Sequence, residues 1–255
     1  MNKKTEGLIA EWKREEEIAY VHGWDFSHIE GRYEEKTEFY RDYKGEVLSY
    51  LKPDMKLLDI DTGGGEFLLS LGHPYENTSV SEGYLPNFEL CRNTLTPLGI
   101  TVKYADAEKF LPFENGEFDI VINRHGSFLP DEIYRVLKKG GMFITQQVGA
   151  YNDRELVELL CGENTVLPFP GQVLKSVCDD FIRAGFTVTD SSEYYGSLKF
   201  FDVGALVWFA RIISWEFPDF SVDNNLDALI RAQEIIEKFG FAEGKTHRFF
   251  LAARK

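Results

Sequence analysis

Long apolar runs, paired cysteines, clustered cations and histidines at ligand spacing are all scarce or missing in this 255-residue chain. No uninterrupted apolar stretch approaches the roughly 18 residues that a membrane helix needs. Residues 1–17 are polar and charged rather than an apolar signal core, so the sequence predicts a cytoplasmic protein with no membrane partner. Three cysteines, Cys91, Cys161 and Cys178, are an odd number without CxxC spacing, which suggests neither a disulfide framework nor a zinc site. His22, His28, His73 and His247 form no spacing such as H-E-x-x-H, so no metal is expected. Lys and Arg number 28 against 42 Asp and Glu, a formal charge of −14, and no dense basic cluster interrupts it. Affinity for phosphate backbones comes mostly from such cations, so no nucleic-acid partner is expected. Internal repeats and low-complexity tracts are absent from the sequence as well.

What is present is enough for one sizeable core: 44% hydrophobic and 15% aromatic residues over this length call for one domain with insertions. Strand-like runs at 56–60, 78–81, 101–104, 118–122, 141–147, 186–189 and 248–253 alternate with helical patterns at 66–71, 87–98, 131–137 and 174–184. Such alternation predicts an α/β fold, a doubly wound, mostly parallel sheet of seven strands with helices on both faces. Ligands of such sheets gather at the carboxyl ends of the strands. Two further helical patterns precede the first strand, at 6–20 and 36–51, with an aromatic-rich turn region at 24–33 between them. Two more, at 203–213 and 226–239, fall before the last strand. The expected organisation is an N-terminal helical cover over 1–52 and a cofactor-binding domain over 53–255, with a helical lid insertion at about 200–240. Trp12, Trp24, Phe26, Tyr33, Trp208, Trp215 and Phe217 lie in the cover and lid, either gluing helices to the core or lining an acceptor pocket.

The most informative segment is Leu57-Leu58-Asp59-Ile60-Asp61-Thr62-Gly63-Gly64-Gly65-Glu66-Phe67-Leu68-Leu69, an apolar strand running into a glycine turn and a helix start. Such a turn leaves N–H groups free and lets a ligand approach the backbone. Glu82, beyond the next apolar run, stands where nucleotide-binding βαβ units place the acid that holds a ribose. A dinucleotide fingerprint needs a small third residue after Gly63 and Gly65, and Leu68 stands there, which argues against NAD or FAD.

The same stretch resembles motif I of the Rossmann-like (class I) S-adenosylmethionine (SAM) methyltransferases: Asp59, Gly63 and Gly65 match D-x-G-x-G-x-G, and Asp61 stands where that family has glycine. Ser81-Glu82-Gly83-Tyr84 resembles the ribose-binding segment, Asp106-Ala107-Glu108 the adenine-contacting segment, and 118–125, ending in Asn123-Arg124-His125, the fourth strand and its catalytic edge. Residues 132–144 resemble the helix, glycine turn and fifth strand that follow. Trp24-Asp25-Phe26-Ser27 and Trp215-Glu216-Phe217-Pro218 are similar to stretches of uncharacterised bacterial methyltransferases of this type. The resemblance, over about 55–148, implies SAM as cofactor, bound by Asp59, Asp61, Thr62, Gly63, Gly65, Glu82, Gly83, Asp106, Ala107 and Asn123. It implies an acceptor handled by His125, Asn123 and Arg124, with His125 the candidate base. The expected activity is methyl transfer to a small-molecule acceptor. The alternative, motivated by Asp61, is a catalytically impaired SAM-binding protein that acts as a binding or interaction module.

Overall fold

Apolar residues on both faces of a parallel sheet set the core of one part of the chain. In the computed structural model, which describes residues 3–20, 25–36 and 41–255, strands β2 (Leu57–Ile60), β3 (Thr78–Glu82), β4 (Thr101–Tyr104), β5 (Phe118–Arg124) and β6 (Leu137–Val148) pair in parallel around β2. Val148 to Met142 of β6 then pair antiparallel with Arg248 to Arg254 of β8 (Ala242–Arg254). Successive side chains of a strand point to opposite faces, and here both faces are buried. Leu58, Ile60, Val121 and Phe143 pack with Ile133 and Val136 of α5 (Pro130–Val136) and with Val177 and Phe181 of α7 (Leu174–Arg183). Their neighbours Leu57, Ile120, Ile122 and Ile144 pack with Tyr43 and Val47 of α2 (Tyr43–Tyr50), Leu68 of α3 (Glu66–Ser70) and Cys91 of α4 (Leu85–Thr94). Two cores on two faces make the sheet doubly wound, as a sheet buried on both sides requires.

The chain divides into two compact units, Tyr40–Gly149 with Gly171–Glu193 and Arg248–Lys255, and Met1–Phe39 with Ala150–Pro170 and Tyr194–His247. The first holds the parallel sheet. Its seven strands run in the order β7-β8-β6-β5-β2-β3-β4, with β7 (Thr187–Phe200) and β8 each contributing the part inside the unit. An eighth strand corrects the expected seven: β1 (Tyr33–Lys36) pairs antiparallel with Phe200 to Ser197, within the second unit. Tyr-Glu-Glu-Lys has no apolar alternation to announce it, and its pairing with an edge defines it as a strand.

The second unit is built on α8 (Val203–Ile212), whose residues Val203 to Ala210 are all buried; a helix apolar on every side needs cover all round. Trp12 of α1 (Lys3–Glu17), Leu156 of α6 (Arg154–Cys161) and Leu229 of α9 (Leu226–Phe239) supply it, with Phe200, Trp208 and Phe217 in the same core. Asp202 caps α8 by accepting from the Ala205 N–H at 2.8 Å, and Arg32 ties Asp202 (2.6 and 2.9 Å) to Glu15 (2.8 Å). Residues 1–39 of the expected cover and the expected lid thus fall in one unit together with residues 150–170, while the second cover helix, α2, packs on the sheet in the other. Of their aromatics, Trp12, Trp208 and Phe217 are core, Trp215 is exposed, and Trp24 lies outside the described residues. Among the described residues no helix is long and apolar enough to cross a membrane.

Candidate functional site

At the carboxyl end of β2 the backbone reverses through Asp61, Gly63 and Gly65, with φ of 54°, 66° and 86°. Glycine reaches such angles without strain, and aspartate is among the few other residues that do so readily. The position where the methyltransferase motif carries glycine therefore keeps a glycine-like backbone here. A Cβ on Gly65 would meet Leu95 Cδ1 at 2.8 Å, so this glycine lets the turn pack on the residue after α4. A Cβ on Gly63 would meet nothing within 4 Å, which leaves open space against the loop backbone.

Buried polar groups fix this turn. Glu82, 4% exposed at the end of β3, accepts the Gly63 N–H and the Tyr84 N–H, each at 2.9 Å. Asp59, also 4% exposed, accepts the Thr62 hydroxyl at 2.6 Å. Cys91 Sγ donates to the Gly63 carbonyl at 3.1 Å, a support that no motif announces. Gly83 is a close approach of the same kind: a Cβ there would meet the Ala105 carbonyl oxygen at 2.9 Å, so glycine lets the turns after β3 and β4 touch.

Three carboxylates thus sit around one turn, and their protonation follows. Burial pushes Asp59 up to about 7, with the charges of Asp61 and Glu82 adding to it against the Thr62 hydrogen bond. Burial also raises Asp61 to about 7, Glu82 adding, while the N–H groups of Gly83 and Ser127 favour its charged form. The Asp61 carboxylate faces those two amides, and a Cβ on Gly126 would meet Asp61 Cβ at 2.6 Å. Asp61 therefore links the turns that follow β3 and β5. Such a site favours a cation.

The β5 edge is organised differently. Asn123 is wholly buried: its Nδ2 donates to the Ile60 carbonyl at 3.0 Å and its Oδ1 accepts from Gln147 Nε2 at 2.6 Å. The Tyr43 hydroxyl donates to the Asn123 and Ile144 carbonyls, both at 3.0 Å. Expected to touch both cofactor and acceptor, Asn123 instead braces the strand ends from behind, because the hydrogen-bonding capacity of its amide is taken up inside the sheet. Arg124 is exposed, its guanidinium 5.5 Å from the Phe67 ring centre. His125 adopts φ 62° and donates its N–H to the Gln146 carbonyl at 3.0 Å. Desolvation, then the positive charges of Arg248 and Arg124, push its imidazole down to about 3. The residue keeps an exposed surface, and an imidazole lowered in this way is neutral at pH 7.

At the end of β4, Asp106 is exposed, pairs with Lys109 at 2.7 Å and accepts the Glu108 N–H at 3.1 Å, capping its own turn; Lys109 holds it below the usual carboxylate range. Ala107 is buried in the core, so its backbone rather than its methyl is what it offers a ligand. The first unit therefore brings together Asp59, Asp61, Thr62, Gly63, Gly65, Glu82 and Gly83, with Asp106 beyond Gly83 and with Arg124 and His125 beyond Asn123.

The residues on that turn fit SAM by their donor set: a buried carboxylate with lone pairs left for a ribose diol, open space beside Gly63, and a negative surround for a sulfonium. Comparison with known proteins bears on the same stretch. Residues 58–145, about a third of the chain, match the methyltransferase domain family. No curated protein matches the chain. Among solved structures, a Bacillus halodurans C-125 protein provisionally described as a methyltransferase is similar at a TM-score of 0.57 and 20% identity, covering 84% of this chain and 98% of that one. A protein of unknown function from Deinococcus radiodurans R1 matches at 0.59 and 11% identity over 87% and 91%. The [4+2]-cyclase SpnF matches at 0.51 and 16% over 83% and 80%. That cyclase carries other chemistry on the same fold, so fold alone does not name the reaction. The family match bears on it: residues 58–145, on the parallel sheet, match the methyltransferase domain family.

Proposed function

We propose that this protein methylates a small-molecule acceptor, with SAM held by the turn after β2 and the buried Glu82. The observation that carries the cofactor half is Glu82 itself, a carboxylate 4% exposed and joined to the Gly63 amide at 2.9 Å. Its remaining lone pairs accept the ribose hydroxyls, Asp59 orients the glycine turn through Thr62, and Asp106 with the Ala107 backbone serves the adenine edge. Asp61 holds the turns after β3 and β5 together around the ligand. When bound, SAM supplies an electrophilic methyl group on a sulfonium. The protein's part is then positioning, since in-line transfer gains most from holding donor and acceptor in geometry.

His125 and Arg124 are the residues at the β5 edge that face solvent, and they take the acceptor. A neutral imidazole accepts a hydrogen bond, or in passing a proton, from an acceptor hydroxyl or amine, and so orients its lone pair. The net charge of −14 supports a small acceptor over a nucleic acid. The test is incubation with methyl-labelled SAM and a desalted metabolite extract, followed by ultrafiltration. Enzyme-dependent label in the low-mass fraction is the expected result. Label confined to protein or RNA contradicts the acceptor class, and tight SAM binding with no transfer favours the binding-module alternative that Asp61 suggests.

A further inference from the structure

We infer that the second unit carries a binding site of its own for an aromatic carboxylate, formed where β7 and β8 present the strand face turned away from the core. Leu198 and Phe200 of β7 and Ala242 of β8 point into the apolar core. By strand alternation Tyr195, Ser197 and Lys199, and beside them Glu243, Lys245 and His247, share the opposite face. A cavity of about 960 Å³ opens there. That is the upper end of the range usual for small-molecule sites, roughly 300–1,000 Å³.

Its floor is built rather than incidental. Gly196 and Gly244 line it. A Cβ on Gly196 would meet Thr246 Oγ1 at 2.5 Å and the Lys36 carbonyl at 2.6 Å, and one on Gly244 would meet Leu156 Cγ at 2.7 Å. One wall is aromatic and rigid. The wholly buried His247 ring stacks on Tyr195 at 4.4 Å and on Tyr151 at 5.7 Å, with interplanar angles of 14° and 23°. Backbone bonds fix that histidine: its Nδ1 accepts the Tyr151 N–H and its own N–H reaches Asn152 Oδ1, both at 3.1 Å. Tyr195 and Tyr151 nevertheless remain 46% exposed each, so the pinned stack presents aromatic surface to the cavity.

Charge decides which aromatic. The lining carries four cations, Lys36, Arg154, Lys199 and Lys245, against Glu155 and Glu243, a net +2 on a chain of net −14. Arg154 is held by Glu158 and by the Thr165 and Glu163 carbonyls, and Lys36 by Glu34 at 3.1 Å, whereas Lys199 lies 3.8 Å from Glu243 with its ammonium 4.1 Å from the Phe241 ring centre, and Lys245 lies 3.6 Å from Glu155. Two ammonium groups lining the same cavity as the tyrosine rings suit a planar ring bearing a carboxylate. The site belongs to a different unit from the SAM residues and does not rest on the methyl-transfer reading.

The test is calorimetry on the full chain without SAM, using 2-naphthoate with the neutral 2-naphthylmethanol and the cationic 2-naphthylmethylamine as controls. The naphthoate should bind at least tenfold more tightly than either control. The pair Lys199→Gln with Lys245→Gln should lose at least tenfold of that affinity, and Tyr195→Ala at least fivefold, in variants whose circular dichroism matches the parent. No binding at millimolar naphthoate, equal affinity for the three probes, or unchanged affinity in either folded variant overturns the site. None of these results alters a SAM titration, so failure here is distinguishable from failure of the cofactor assignment.

Discussion

Removing the Glu82 carboxylate separates two roles that one side chain combines. It accepts two backbone N–H bonds at 2.9 Å in a position 4% exposed. Hydrogen bonds to a charged group contribute about 1.5–3 kcal/mol each, and losing them strands two amides. Removal also relieves the repulsion that raises Asp59 and Asp61, which offsets part of the loss. The expected net cost of Glu82→Ala is about 2–4 kcal/mol in urea unfolding, with Glu82→Gln, which keeps one acceptor, at about half. SAM affinity should fall separately, by about 1.5–3 kcal/mol for the lost diol bonds, or about 10- to 150-fold in Kd. Calorimetric titration of folded Glu82→Gln at fixed pH and salt reads this second effect. A destabilised variant that binds SAM as tightly as the parent would refute the reasoning and leave Glu82 as a loop brace only.

Protonation of the acidic cluster gives a pH dependence of definite sign. Asp59 and Asp61 are raised to about 7. Between their unfolded value of about 4 and 7 the native state binds the extra protons, so these groups contribute stability that declines as pH rises through that window. A cationic ligand favours their charged forms, so SAM affinity should rise about tenfold from pH 5.5 to 7 with proton release on binding, and Asp61→Asn should roughly halve that slope; a flat profile would contradict the cluster's role. His125 runs the other way, because its lowered value removes stability below about pH 6.5. Once an acceptor is known, His125→Asn should lower kcat by about 10- to 100-fold with less than a threefold change in SAM Kd; equal losses in unfolding stability and activity would mark it as structural. Arg32→Ala should cost about 1–3 kcal/mol, because it leaves Glu15 and Asp202 without the cation that joins them; an unchanged urea midpoint would count against that link.

Much of the parallel sheet is legible because short strands rich in apolar and β-branched residues alternate with helical patterns. The strand at 101–104 and the helix at 226–239 occupy the residues expected of them. What is not legible is set by tertiary pairing. β7 runs from Thr187 to Phe200 through Asp190, Ser191, Ser192 and Glu193, residues with little strand preference. β8 begins at Ala242, ahead of the run expected at 248–253, and passes through Gly244 because the glycine makes room for Leu156 of α6. α6 itself has Leu156, Val157 and Leu160 at helical spacing, but over eight residues that signal is short. At the candidate site, spacing locates Gly63, Gly65 and Glu82, whose roles depend on backbone geometry. It does not give direction: Asn123 beside Arg124 reads as a ligand residue, yet burial turns its amide into the sheet. Cys91 and Ser127, which meet Gly63 and Asp61, carry no motif at all.

In the function proposed above, the turn after β2 and Glu82 together hold SAM. Thermal unfolding with added ligand tests it most directly, since a ligand bound only by the native state stabilises by about 2.7 kcal/mol at 100 times its Kd. SAM and its demethylated product should raise the midpoint of the parent by a few degrees and that of Glu82→Ala by less, while NAD should leave both in place. A shift with NAD or ATP and none with SAM at millimolar concentration would contradict the account.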